Sequence, residues 1–331
     1  MKRSIVMFLV ITLLITMSAG LASAVEKEDV KIGFSQYTLS APYFKAQVEA
    51  AKEKAEEMGV ELVAIDAQND MVKQLGDVED LLVQGIDILI LNPQDPKGLV
   101  PATKKATEAG VPVIIIDSSI DPSADYVTTV QSNNDINGEL VGEWLSETFQ
   151  EKFPGEEMKM ALISGAKGNP VGKTRRDGVF KGIIEQQLRS EGTAGFEIVS
   201  QGWGAWAQAG GLDAMEDILA ANSDVNVLLA ENDSMALGAM KAIEGAGKVP
   251  MEDIIVCAAA DGQKEAFKLI QEGEYGATGL NSPVLTASRA VEIAVEVVVE
   301  GKNEYPDKSY TPAAAITEEN VDEYYNPDAI F

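Results

Sequence analysis

Hydrophobic and polar positions along the chain follow two alternating periods, and the stretch 31–66 sets this pattern. A short apolar run at 32–34 leads into a polar loop, after which apolar residues recur at helical spacing. Gly59 ends this helix at a position that needs a left-handed residue, and a second apolar run at 62–65 follows. Such a strand–helix–strand unit predicts two parallel strands with a right-handed crossover.

The alternation continues in two similar series, the first up to about residue 130 and the second beginning with a helix at 133–149. Continuous apolar runs such as that at 87–94 (DILILNPQ) are typical of strands buried on both faces. No linker rich in Gly, Ser or Pro separates the series, so we expect a hinge made of strand-to-strand crossings. The pattern predicts an α/β protein with two doubly wound parallel-sheet lobes.

The first 24 residues resemble a secretory signal peptide. Lys2 and Arg3 precede an apolar segment, and the small residues Ala-Ser-Ala stand at 22–24. We expect cleavage after this tripeptide and export of the remainder; a retained membrane anchor is the alternative. About 300 residues remain, which suits two lobes better than one core.

Composition excludes several classes of function. The formal net charge of −27 becomes −29 once the leader is removed, so we expect no nucleic acid or anionic membrane as a partner. The absence of histidine excludes Ser–His and Cys–His catalysis and His-based metal sites. The single cysteine, Cys257, lies in an apolar run and is expected in the core. The loop 202–207 matches the glycine spacing of a dinucleotide-binding motif, but its two indoles would crowd a pyrophosphate. We expect neither a cofactor nor a metal.

Polar residues recur where predicted strands end. Asp117 and Asp261 each follow an unbroken apolar strand, at the sheet edge where open α/β proteins bind ligands. Asn232 opens a helix, and either it or the next residue is the expected cap. Arg175 and Arg176 stand near a helix start, where the dipole disfavours cations. We expect one of them to contact a ligand; capping and solvated charge are the alternative roles for these groups.

Aromatic residues stand in two loops. Tyr43 lies one residue ahead of the apolar stripe that Phe44 begins, so both rings cannot enter the same packing surface. At least one ring is therefore expected at the mouth of the loop. Trp203 and Trp206 stand in a Gly-containing loop just past a strand, which favours a platform over core packing.

Six segments together resemble the periplasmic sugar-binding proteins of the ribose-binding type. In chain order they are SAPYF, DAQND, ILNPQDP, VIIIDSS, AENDSMALGAMKAI and ADGQKEA. The resemblance implies two lobes joined by three crossings, with a sugar or polyol enclosed between them. It also implies a periplasmic protein that is no enzyme and that delivers its ligand to the membrane permease of an ABC importer. We expect a monomer.

The resemblance also implies domain boundaries. A helix at 283–299 and a last strand at 310–315 provide the chain needed to cross between lobes more than once. The expected division is a signal peptide at 1–24, an N-terminal lobe at 25–130 plus 282–311, and a C-terminal lobe at 131–281 plus 312–331.

The resemblance implies site residues as well, with Tyr43 and Phe44 stacked on the sugar ring. The other implied ligand-binding residues are Asp117, Arg176, Trp206, Asn232, Asp261 and Asn281. Two positions depart from the ribose-binding pattern, because Ser118 replaces an arginine and Ala41 replaces an asparagine. A different pentose, a hexose or a polyol is therefore expected in place of ribose.

Three other functions remain open from the sequence. A sensory receptor for a furanose-like signal would dock on a chemoreceptor or a histidine kinase. An exported hydrolase would act through paired carboxylates. A relative of the sugar-responsive repressors is the last alternative, although a signal peptide stands in place of a DNA-binding headpiece and the charge is wrong for DNA.

Overall fold

The computed structural model describes residues 27–331, so the predicted signal peptide at 1–24 lies outside the described residues. Strands and helices alternate along that part of the chain, with short 3-10 helices at Lys27–Asp29 and Val321–Glu323. In chain order the elements are β1 (Lys31–Gln36), α1 (Pro42–Met58), β2 (Glu61–Asp66), α2 (Met71–Val83), β3 (Ile88–Asn92), α3 (Val100–Glu108), β4 (Val113–Ile116), β5 (Thr128–Ser132), α4 (Asn134–Lys152), β6 (Lys159–Ser164), α5 (Pro170–Glu191), β7 (Glu197–Trp203), α6 (Gln208–Ala221), β8 (Val227–Ala230), α7 (Asp233–Gly245), β9 (Ile255–Asp261), α8 (Lys264–Gln271), β10 (Ala277–Leu280), α9 (Pro283–Glu300), β11 (Lys308–Thr311) and β12 (Ala315–Ile316).

The strands form two six-stranded sheets, each the centre of one lobe. Lobe 1 has the strand order β11-β5-β4-β3-β1-β2, and all neighbouring strands in it are parallel. Lobe 2 has the order β12-β10-β9-β8-β6-β7 and is parallel except for β12, which runs antiparallel to β10. The predicted fold class, an α/β protein of two doubly wound lobes, is confirmed.

The backbone passes between the sheets three times within residues 27–331. The passages follow Ser132, Leu280 and Thr311. The last passage corrects the strand predicted at 310–315, because two strands in different sheets, β11 and β12, occupy that region. Pro312 lies between them, and a residue without an N–H cannot continue a strand ladder.

Alternating side chains of the lobe 1 strands enter two different hydrophobic layers. Ile88 and Ile90 of β3 pack with α1 and α9, whereas Leu89 and Leu91 pack with α2 and α3. A continuous apolar run is thus needed because both faces of the strand are buried. Lobe 2 has one core, in which the predicted core residue Cys257 is fully buried.

Helices α4 and α5 pack closely enough to exclude side chains between them. A Cβ added to Gly138 would lie 2.4 Å from the backbone oxygen of Arg175, and one added to Gly182 would lie 2.0 Å from that of Glu139. This contact fixes the rotation of α5 about its axis, and therefore which arginine of that helix faces the other lobe. No helix in residues 27–331 combines the length and the apolar character that a membrane span requires.

Candidate functional site

A cavity of about 330 Å³ lies between the two lobes, where the carboxyl ends of their strands meet. Lobe 1 contributes residues that follow β1 and β4 and residues at the end of β5. Lobe 2 contributes residues that follow β6, β7 and β8 and residues at and after the end of β9. Seven predicted site residues line this cavity: Tyr43, Phe44, Asp117, Trp206, Asn232, Asp261 and Asn281. The structure therefore brings together side chains that are up to 238 residues apart in the sequence.

Two of these side chains stand on backbone that non-glycine residues rarely adopt. Asp117 has φ +62°, and Ala205 and Trp206 have φ +49° and +62°. Left-handed conformations of this kind cost a non-glycine residue about 1–3 kcal/mol and persist where the surrounding structure holds them. The Asp117 N–H donates to the Val130 carbonyl at 2.8 Å, so the neighbouring strand fixes this turn. Each lobe thus contributes one strained turn to the cavity wall.

A polar network crosses the cavity from lobe 1 to lobe 2. The Tyr43 hydroxyl lies 3.0 Å from Asp117 Oδ1 and 3.2 Å from Asn281 Oδ1, and its one hydrogen serves one acceptor at a time. Asn281 Nδ2 donates to Asp261 Oδ1 at 3.2 Å. Arg175 Nη2 pairs with that same oxygen at 2.7 Å. Asn281, at the passage after β10, thus connects the carboxylate of one lobe with the ion pair of the other.

The arginine at the cavity is Arg175, whereas the sequence predicted Arg176. Arg175 is buried, and it donates through Nε to Asn134 Oδ1 at 3.0 Å and through Nη1 to the Glu231 carbonyl at 3.0 Å. Arg176 does not line the cavity and pairs instead with Glu231 Oε1 at 2.6 Å. Successive helical residues point about 100° apart, so only one of the two can face the cleft.

Aromatic rings form the apolar part of the cavity wall. The Tyr37 and Phe44 centroids are 4.8 Å apart at 64°, and those of Tyr43 and Phe331 are 5.2 Å apart at 89°, both edge-to-face. In lobe 2 the guanidinium of Arg175 lies 5.8 Å from the ring centroid of Trp206. The cavity therefore offers aromatic surface from both lobes beside its charged and amide groups.

Comparison with known proteins identifies the family of this chain. A sequence profile for the periplasmic binding protein domain matches residues 32–303. The chain belongs to the periplasmic binding protein family. It is 31% identical to the ribose import binding protein of Bacillus subtilis, over 90% of this chain and 94% of the relative. The resemblance to ribose-binding relatives is thus confirmed.

Two solved structures are similar to this periplasmic binding protein along most of its length. An ABC transporter solute-binding protein of Mycobacterium smegmatis with bound glycerol is 31% identical, with a TM-score of 0.75 and coverage of 91% of this chain and 98% of that one. One from Actinobacillus succinogenes with bound D-allose is 26% identical, with a TM-score of 0.78 and coverage of 89% and 100%.

Electrostatics at the cavity of this periplasmic binding protein depend on few charges. Three charged residues line it, Asp117, Arg175 and Asp261, and the last two form an ion pair. Burial raises the pKa of the Asp117 carboxyl above its usual value, although the Tyr43 hydroxyl and Arg175 counteract this effect. Burial also raises the pKa of Tyr43 well above the ordinary value, and the Asp117 charge adds to it. The Tyr43 hydroxyl therefore keeps its proton.

Buried polar residues hold the lobe 2 side of the cavity in place. Asn232 caps α7, since its Oδ1 accepts from the Met235 N–H at 3.1 Å, and it lines the cavity as well. The adjacent Asp233 carboxylate accepts from the N–H groups of Gly262 and Gln263 at 2.7 and 2.8 Å. These bonds fix the turn that follows Asp261.

Among the aromatic and charged residues of the cavity wall, sequence reasoning missed three. Arg175 was considered but not chosen, while Tyr37 and Phe331 were not considered at all. Tyr37 directly follows β1, a strand-end position that provided a usable signal. Phe331 carried no such signal, because only tertiary packing brings it to Tyr43. Trp203, the other candidate platform, is 43% exposed and does not line the cavity.

No cluster of three or more His, Cys, Asp or Glu side chains suited to a metal ion occurs among residues 27–331.

Proposed function

We propose that this periplasmic binding protein captures one sugar or polyol in the interlobe cavity and delivers it to the membrane permease of an ABC importer. One observation carries the proposal: aromatic rings and a carboxylate–amide–guanidinium network from both lobes line the same cavity. The proposed ligand contacts are Tyr43, Phe44, Asp117, Trp206, Asn232, Asp261 and Asn281, together with Arg175 in place of Arg176.

Sugar chemistry fits these walls. A sugar presents C–H faces that aromatic rings cover and a rim of hydroxyls that carboxylates and amides bind in pairs. Hydrogen bonds between hydroxyls and charged groups contribute about 1.5–3 kcal/mol each, and leaving a buried one unmade costs a similar amount. A neutral ligand can therefore be selected sharply among close analogues.

The residues around Asp117 support a ligand other than ribose. Ser118 and Ala41 both line the cavity, and both are smaller than the groups at these positions in the ribose-binding pattern. Relatives carry names that specify ribose and galactofuranose, and a structural neighbour holds D-allose. We infer that the ligand is another pentose, a hexose or a polyol.

The ligand is expected to leave unchanged. Each aspartate at the cavity is already engaged, Asp117 by the Tyr43 hydroxyl and Asp261 by Arg175, so neither is arranged as a free acid or base. We infer that the chain is no enzyme, that it acts as a monomer in the periplasm, and that its leader is cleaved. Import is favoured over chemoreceptor or kinase signalling, because the relatives are import proteins.

A thermal-shift screen tests the proposal, using purified protein against free pentoses, hexoses, inositols and glycerol. A ligand at 100 times its dissociation constant adds about 2.7 kcal/mol to the free energy of unfolding. The bound compound, recovered after denaturation, should have an unchanged mass. Failure of every sugar and polyol to shift the unfolding temperature, or recovery of a hydrolysed product, would contradict the proposal.

A further inference from the structure

Phe331 reaches from lobe 2 to lobe 1 at the edge of the cavity. The segment 324–331 follows the lobe 2 sheet, where Tyr325 packs against the lobe 2 core and Lys264 Nζ donates to the Ala329 carbonyl at 2.6 Å. From this support the Phe331 ring meets the Tyr43 ring of α1, 5.2 Å away and nearly perpendicular to it. The segment that carries the ring is thus held on lobe 2 near Ala329, and the ring itself contacts Tyr43 of lobe 1.

A second cavity, of about 620 Å³, is also lined by Phe331. Two backbone segments, 280–282 and 261–263, contribute neighbouring residues to different cavities. In the first segment Asn281 lines the first cavity, whereas Leu280 and Ser282 line the second. The turn 261–263 divides in the same manner, with Gly262 on the second side. Among the described residues that line these cavities, Phe331 alone belongs to both.

The two cavities are therefore separated by helix α1, by these two backbone segments and by the Phe331 side chain. The segments are held by the β9–β10 ladder and by the bonds to Asp233, so they cannot yield without breaking the sheet edge. Phe331 lies at the surface of the lobe, makes no ladder hydrogen bonds and is only partly buried. Shortening this side chain is the change that would join the two spaces.

We infer that Phe331 sets the size limit of the binding cavity, so that one free sugar or polyol unit is admitted and a glycoside substituent is excluded. This inference rests on the proposed function and names the ligand class of that same site. The space beyond Phe331 is lined partly by Ala46, Ala50 and Leu285 and partly by acidic side chains. A neutral apolar substituent would fit there if the ring were absent.

Titration calorimetry tests the inference on the parent protein, Phe331→Ala and Phe331→Leu. The probes are the free sugars that bind in the thermal-shift screen and the α- and β-phenyl glycosides of the same sugars. We expect the parent to bind both glycosides at least about 100-fold more weakly than the free sugar. In Phe331→Ala the free sugar should lose about three- to tenfold in affinity, as expected for one aromatic face, and one glycoside should gain at least about tenfold.

Ile330→Ala is the matched control, because Ile330 lines only the second cavity and should leave all affinities unchanged. Phe331→Leu should give an intermediate discrimination, which separates lost wall area from a folding defect. The inference is overturned if the parent binds glycosides as tightly as free sugars, or if Phe331→Ala gains no glycoside affinity. Absence of binding by every free sugar would instead refute the proposed function, and the size limit with it.

Discussion

At the scale of single residues, the Tyr43 hydroxyl connects lobe 1 to the hinge, because it contacts both the Asp117 carboxylate and the Asn281 amide. Tyr43→Phe keeps the ring and removes only this donor. Asp117, which is partly buried, and Asn281, which is buried, then share the loss of one donor, so the free energy of unfolding should fall by about 1–3 kcal/mol. Urea unfolding measures this change.

Tyr37→Phe is the matched control, since the Tyr37 hydroxyl has no hydrogen-bond partner in the described part of the chain although its ring lines the same cavity. Its stability should stay within about 0.5 kcal/mol of the parent. Equal losses in the two variants would show that the Tyr43 hydroxyl does not connect the lobe to the hinge.

The raised pKa of the Asp117 carboxyl predicts how ligand affinity changes with pH. Burial raises the pKa of this carboxyl in the free protein above its usual value of 3.8. Ligand hydroxyls donate to the ionised form, so binding lowers that pKa again. Affinity is then full above the raised pKa and falls as the pH drops through it, starting at a higher pH than an ordinary aspartate would give. Calorimetry at pH values descending from about 7 measures the fall.

Asp117→Asn provides the control for this pH dependence. The variant should bind more weakly than the parent above the raised pKa and should lack the fall, because the titrating group is gone. The remaining charged groups at the cavity are Asp261 and Arg175, which form an ion pair. If the fall persists in Asp117→Asn, Asp117 is not the group responsible for it.

At the scale of elements, the loop after β6 and the loop after β7 hold Trp206 in place. The Trp206 indole lies directly over Gly165, where an added Cβ would meet ring atom Cε2 at 2.1 Å. Gly165→Ala should therefore displace the ring and weaken ligand binding by at least about tenfold, since one stacking face is lost. Calorimetry measures the affinity, and thermal unfolding shows whether lobe 2 remains folded.

Gly195→Ala in the same lobe is the matched control, because an added Cβ there meets nothing within 4 Å. Its affinity should equal that of the parent. Unchanged binding in Gly165→Ala would mean that Trp206 does not contact the ligand.

The helices and strands also explain which predictions succeeded. Fold class was predictable because every inner strand, such as β3, is covered on both faces and needs an unbroken apolar run. Asp117 and Asp261 were predictable as cavity residues because the first directly follows such a strand and the second ends one. Choosing between Arg175 and Arg176 required knowledge of how α5 is rotated about its axis. The packing of Gly178 and Gly182 against α4 sets that rotation. Arg175 lies three residues before Gly178, on that same buried face, so a signal existed.

Other features had no local signal. Phe331 reaches the cavity only through the packing of the segment that carries it, and a periodicity cannot report a contact between distant parts of a chain. The sequence pattern predicts one strand at 310–315 in place of β11 and β12. Both strands are short, and apolar positions continue through the turn between them. These are tertiary properties, which sequence patterns describe poorly.

At the scale of the whole molecule, a ligand that contacts both lobes should stabilise their closed arrangement, with three backbone passages acting as the hinge. Small-angle X-ray scattering should record a smaller radius of gyration on addition of the ligand found in the screen. Asp117→Asn and Asp261→Asn each weaken the grip of one lobe, and each should reduce or abolish this compaction. Where either single variant abolishes compaction, the double variant should show no further loss, because bridging needs both lobes.

Asp66→Asn is the matched control for these two changes. Asp66 also ends a strand, β2, but it does not line the cavity, and its carboxylate accepts from the nearby Gln68 N–H at 2.8 Å. Compaction in this variant should equal that of the parent. If Asp66→Asn loses compaction as much as the cavity variants do, the loss reflects general strain at strand ends. If all three variants compact normally, the ligand does not bridge the lobes through these carboxylates.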